Sequence, residues 1–265
     1  MSARNNNRRK GFQGRRGTAE DSRPLERRPG QDPSVRVVYV GCEGEQTEPE
    51  YLDYLNDEFG SGAPGRPPFQ LHPVRKVNGL KPSRAVAQVK EMAESHEAWV
   101  LFDRDSHPDI PQALRAAAEA RIEVGFSHPS FDLWLLLHFQ AFGGTQNGSS
   151  DTVVDKLRSS KATDAFRDYA RRDKGIGPDR RKALRRKEQD AVDHARALVK
   201  QCEHGDCRAG AAKWDFVSRA GDDTRIPWQQ WSARSGHAEH CPVLGRDPST
   251  DVWRLLVSLG IATAG

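Results

Sequence analysis

The hydrophobic pattern changes period several times over the first 140 residues. Residues 35–42, Val-Arg-Val-Val-Tyr-Val-Gly-Cys, are β-branched and aromatic and lie between Pro33 and Gly44, which predicts a strand. Tyr51, Leu52, Leu55 and Phe59 then follow at helical spacing. Thr47 and Glu50 have the spacing of a capping box for that helix, and Pro49 falls in its first turn, where a missing N–H costs nothing. Residues 60–68 read as a Gly/Pro loop and 69–75 as a weak second strand. Val86, Val89 and Met92 predict a helix over 83–94. Residues 98–102, Ala-Trp-Val-Leu-Phe, form a continuous apolar run, the pattern of a strand buried on both faces. An alanine-rich helix over 110–121, a strand over 122–126 and a helix from Ser130 through Leu137 complete the region.

Strands alternating with helices predict an α/β unit with a mainly parallel sheet. Beyond residue 150 the pattern is helical: 151–158, 162–171, and a longer helix from Pro178 to about Cys202. Residues 203–247 are irregular, and Pro248 starts a last helix with Val252, Leu255, Leu256 and Leu259 on one face. The expected organisation is a disordered tail over 1–32, an α/β core over 33–145 and a helical extension over 146–265 that packs on the core. The longest apolar stretch, Phe131 to Phe139, is interrupted by Asp132 and His138 and is far shorter than the ~20 residues of a membrane span. The basic N-terminus has no apolar stretch behind it, so it does not read as a secretory signal. Four cysteines in 265 residues do not make a disulfide scaffold, and a reduced, cytoplasmic protein is expected.

Charge sharpens this division. The net charge of +4 is the sum of +6 in residues 1–30, +8 in residues 156–200 and −10 elsewhere. The tail is rich in Arg, Asn and Gly, lacks the apolar residues to offset its ordering entropy, and is either a phosphate-binding arm or a solubilising extension. Within the basic segment, Arg171, Arg172, Lys174, Arg181, Lys182, Arg185 and Arg186 are candidates for binding nucleic acid, against the alternative of a solvated helix face. No base-reading motif accompanies them.

Function in parallel sheets collects beyond the carboxyl ends of the strands. Two such ends carry acids here: Glu43-Gly44-Glu45 after the first strand and Asp103-Arg104-Asp105 after the 98–102 run. If these strands are neighbours, Glu43, Asp103 and Asp105 converge as hard oxygen ligands for Mg²⁺ or Mn²⁺. Gly44 permits a tight turn between the acids. The plain alternative is that acids after strands are loop solubilisers and helix caps.

The pairing of Glu-Gly after the first strand with Asp-x-Asp after a later one resembles the Toprim (topoisomerase–primase) catalytic domain. More closely, the chain resembles the RloB family, found beside restriction–modification and phage-defence genes. The resemblance covers about residues 35–260 and lies in Cys42–Tyr51, Phe102–His107, Ser127–Phe139 and Pro248–Leu256. It implies a Toprim/Rossmann-like core with Glu43 as general base or metal ligand, Asp103 and Asp105 as metal ligands, and Glu48 as a further motif residue. The family's third motif usually has Asn and Glu where this chain has His128 and Asp132. Asp132 is then a fourth ligand, an acid behind the ligands, or an Asp favoured by the helix dipole. Tyr169 and Lys174 are the nearest match to a family tyrosine and lysine, at altered spacing, and Glu45 reads as solvated.

Cys202, Cys207 and Cys241, with His237 or His240, have the composition of a structural zinc site that would tie down the irregular 203–247 stretch. Free thiols and surface histidines are the alternative. Together these readings point to a metal-dependent nuclease, or other phosphodiester-cleaving enzyme, of a phage-defence or restriction-associated system. The competing reading is a non-catalytic, nucleic-acid- or nucleotide-binding regulatory protein of such a system. A protein partner from the same locus fits either, and a membrane fits neither.

Overall fold

The computed structural model describes residues 35–76, 79–104, 107–144, 149–171, 173–218 and 225–265, which belong to one compact unit. The predicted tail over 1–32 lies outside the described residues. Five strands and nine α-helices are found among them: β1 Arg36–Cys42, α1 Thr47–Phe59, β2 Phe69–Val74, α2 Pro82–Ala93, β3 Glu97–Asp103, α3 Ile110–Ala120, β4 Glu123–His128, α4 Phe131–Leu137, α5 Asp151–Arg158, α6 Pro178–Leu184, α7 Glu188–Lys200, α8 Trp228–Ser232, β5 Ser249–Thr250 and α9 Trp253–Ser258.

The sheet order is β2-β1-β3-β4-β5, parallel except where β5 runs antiparallel to β4. Alternation along β3 explains the two-layer packing. Trp99 and Leu101 face one apolar cluster with Tyr51, Leu52, Trp134, Val192 and Leu256. Ala98, Val100 and Phe102 face the other, with Val86 and Val89 of α2 and Ala113 and Leu114 of α3. A strand apolar on both faces must be covered on both, and helices do so here.

Four sequence expectations change. Thr47 and Glu50 do not cap α1: the Thr47 hydroxyl donates to the Lys174 carbonyl, and the Glu50 carboxylate accepts from Ile176 N–H. Both side chains grip a distant strap instead of their own helix end. Residues 162–171 form turns, because the chain reverses at Ala170, whose φ is +60°, and bridges Tyr169 to Asp173. The predicted helix from Pro178 breaks between α6 and α7, with Arg186 at φ +66°. That break starts α7 at Glu188, whose buried carboxylate accepts the Tyr54 hydroxyl. Pro248 precedes a strand, β5, and not a helix: Ser127 and Thr250 pair across the sheet edge, and α9 starts only at Trp253. The segment after residue 146 therefore contributes a strand to the sheet as well as helices. No helix among the described residues is long and apolar enough to cross a membrane.

Candidate metal centre

Parallel pairing of β1 with β3, with Cys42 opposite Leu101, brings the two acid-bearing strand ends together. The Glu43 carboxylate accepts from the Asp103 backbone N–H at 2.9 Å, and its other oxygen lies 2.6 Å from His107 Nε2. The Asp103 carboxylate accepts from Phe131 N–H at the start of α4. Asp105 and Arg172 lie outside the described residues.

Two further acids close on the same spot. Glu48, in the first turn of α1, is 5% exposed and accepts from Gly44 N–H at 3.1 Å. A Cβ on Gly44 would overlap that carboxylate, so close approach, more than a tight turn, is what requires glycine here. Asp132, in the first turn of α4, is 2% exposed. Its Oδ1 accepts the Tyr169 hydroxyl at 2.5 Å, and its Oδ2 accepts from Lys174 Nζ at 3.0 Å and from the Ser130 hydroxyl at 3.1 Å. Gly44, Glu48, Asp103, Asp132, Lys174 and Arg75 line an open cavity of about 600 Å³.

The electrostatics follow from crowding. Burial pushes the Asp103 carboxyl well above the usual carboxylate range, and repulsion from Glu48 and Glu43 adds to it, against the opposing Phe131 N–H. Burial likewise raises Glu48, opposed by the amides of Glu48 and Gly44 and reinforced by Asp132. Burial works against the Lys174 ammonium, but Asp132, Asp103 and Glu48 outweigh it and raise its pKa. One lysine, half exposed and already paired with Asp132, thus faces several acids. Acid-rich crowding of this kind fits a divalent cation with hard oxygen ligands. Among the described residues these carboxylates do not form a closed ligand cluster, so water or substrate oxygens would complete the shell, as is usual for Mg²⁺.

The structure thus gathers Glu48, Asp103, Asp132 and Lys174 at one opening, with Glu43 joined to it through the Asp103 N–H. His107 escaped the sequence reading as a site residue, although its place two residues after Asp105 was a usable signal. Glu45 is exposed. The basic segment divides. Arg181 binds Asp57, the Ile176 carbonyl and the Glu50 carbonyl, and Arg185 pairs with Glu58, so both clamp α1. Arg171, Lys182 and Arg186 are exposed, with no ion pair among the described residues. Of the zinc candidates, Cys202, Cys207, His237 and Cys241 cluster, while His240 is exposed and outside the set.

No curated protein and no solved structure matches the chain. The model of one family, described as RloB-like protein, matches residues 38–259, most of the sequence and every element from β1 to α9 except the first two residues of β1. On that match, the chain belongs to the RloB-like protein family.

Proposed function

We propose that the chain is a Mg²⁺- or Mn²⁺-dependent enzyme that cleaves phosphodiester bonds in nucleic acid, working through a Toprim-like site in a phage-defence or restriction-associated system. The observation that carries this reading is the meeting of two acid-bearing strand ends: the Glu43 carboxylate accepts from Asp103 N–H, and Asp103, Glu48 and Asp132 line one open cavity. Burial, and then Glu48 and Glu43, hold the Asp103 carboxyl above its usual range. Repulsion among buried acids costs stability unless a cation or proton relieves it. Asp103 and Glu48, which line the cavity, would hold the ion, with Glu43 beside Asp103 as a further ligand or as the general base. A bound Mg²⁺ or Mn²⁺ supplies Lewis-acid polarisation of the phosphate and stabilises attacking and leaving oxygens.

The protein's own groups do the rest. As general base, Glu43, 2.6 Å from His107 Nε2, would take a proton from an attacking water. Asp132 accepts from Tyr169, Lys174 and Ser130, so we read it as the residue that positions Lys174 at the cavity. Lys174 and Arg75 then offer positive charge to the non-bridging phosphate oxygens along the cavity wall. The cavity is the size of sites that take small ligands, enough for one nucleotide unit of a longer strand.

Glu43→Gln tests the assignment. Metal-dependent cleavage should collapse while nucleic-acid affinity stays nearly unchanged. Wild-type protein that binds nucleic acid and metal without cleaving would instead support the non-catalytic regulatory reading.

A further inference from the structure

We propose that Cys202, Cys207, His237 and Cys241 form a structural zinc site that fastens the 203–247 segment to the end of α7. The four side chains come from separate places: Cys202 just past α7, Cys207 on the turn that follows, and His237 and Cys241 some thirty residues on. Their ligand atoms nonetheless all lie within 4.8 Å of one another. Cys202 Sγ is 3.7 Å from Cys241 Sγ, and Cys241 Sγ is 3.7 Å from His237 Nδ1. A tetrahedral zinc with Zn–S bonds of ~2.3 Å has ligand–ligand edges of about 3.8 Å. A disulfide between Cys202 and Cys241 would need sulfurs at ~2.05 Å.

The surroundings suit a metal better than free thiols. Ala238 N–H donates to Cys207 Sγ at 3.3 Å, an arrangement that stabilises a thiolate. His237 is 3% exposed, and its Nε2 has no hydrogen-bond partner among the described residues. Burying an imidazole this thinly bonded costs stability, and ligation through Nδ1 offsets it. Gly236, at φ +92°, turns the chain into His237, while its carbonyl accepts from Arg208 N–H at 2.7 Å. That bond holds the Cys207 turn against the His237 turn before any metal arrives. Three sulfurs and one imidazole, with no fifth protein ligand in the set, match a closed structural site and not a catalytic one.

The segment also needs such a staple. Among the described residues of 203–247 the longest helix is α8, with five residues, and no strand is present. A metal that closes the loop between Cys207 and His237 removes much of the unfolded chain's freedom there. His204 Nδ1 is the competing donor, 3.5 Å from Cys202 Sγ, but it lies outside the four-residue set.

The test uses the full chain, purified under reducing conditions without chelator, with metal content measured by mass spectrometry. The expected result is about one zinc per chain, lost in Cys207→Ser and retained in His240→Ala, His204→Ala and Asp103→Ala. The last variant separates this site from the carboxylate centre. Cobalt(II) exchanged into the wild-type chain should show the visible bands of a tetrahedral thiolate complex, a readout that survives any variant that fails to fold. The proposal is overturned if zinc-grown protein carries no zinc, if cobalt enters without those bands, if the native mass shows an oxidised cysteine pair, or if zinc is lost in Asp103→Ala.

Discussion

The Tyr169–Asp132 hydrogen bond joins the strap that carries Tyr169 to the wall of the carboxylate site, so a double-mutant cycle on this pair measures how firmly the site is built. The hydroxyl meets Oδ1 at 2.5 Å, with Tyr169 0% and Asp132 2% exposed. Burial and then Asp132 hold the Tyr169 phenol well above its usual pKa, so it remains a neutral donor. A hydrogen bond to a charged acceptor contributes about 1.5–3 kcal/mol. Tyr169→Phe leaves Asp132 with Ser130 and Lys174 and should cost about 2 kcal/mol. Asp132→Ala strands a buried hydroxyl as well as Ser130, and should cost about 3–4 kcal/mol. The double mutant should cost less than the sum, with a coupling of about 1.5–3 kcal/mol. The Lys174 ion pair adds little, since its side chain is 49% exposed. Urea unfolding of the four proteins, with unchanged m-values, supplies the cycle. Coupling below about 0.5 kcal/mol, the range of independent sites, would refute the claim that the strap is pinned through this bond.

Gly44→Ala forces the Glu48 carboxylate off the Gly44 amide and should cost about 1–3 kcal/mol together with weaker Mn²⁺ binding, checked by unfolding and by titration calorimetry. Glu123 sits buried between Arg254 and Arg234, at 2.5 and 2.6 Å, so Glu123→Gln leaves buried positive charge and should lower stability by about 3–5 kcal/mol in chemical denaturation. Asp103 and Glu48 have folded pKa values raised above their unfolded ones. The metal-free fold therefore keeps protons that the unfolded chain has lost. Their stabilising contribution is complete below the ordinary carboxylate pKa and is lost as pH rises through the raised values. A cation must displace those protons, so Mn²⁺ binding should release protons and weaken as pH falls. Calorimetry in buffers of different ionisation enthalpy reads this directly, and a pH-independent affinity would contradict it.

Much of the sheet was legible because its signals are local. The β-branched run of β1 and the apolar run of β3 name themselves, and the helices between them carry a 3.6 period. The adjacency of β1 and β3 was only conditional in the sequence, and with it the meeting of Glu43 and Asp103, because strand order is a long-range property. What escaped was also long-range. Thr47 and Glu50 match a capping box locally, yet the strap at 174–176 offers them partners 126 to 127 residues away. The break before α7 goes with Glu188 reaching Tyr54, a contact 134 residues away that the helical pattern does not carry. The ion-pair partners of Arg181 and Arg185, Asp57 and Glu58, could not be read from the basic segment because they lie on another helix. Composition alone left His237 and His240 equivalent, and burial separates them.

The account's central claim is that the acids at the ends of β1 and β3 form a metal-dependent phosphodiester-cleaving site. Its most direct test is a cleavage screen of purified protein on DNA, RNA and tRNA, with Mg²⁺, with Mn²⁺ and with EDTA, and with Asp103→Ala alongside. Cleavage of at least one substrate by the wild type with metal, and of none with EDTA or by Asp103→Ala, is the expected result. Cleavage of no substrate with either metal, or full activity retained by Asp103→Ala, would contradict it.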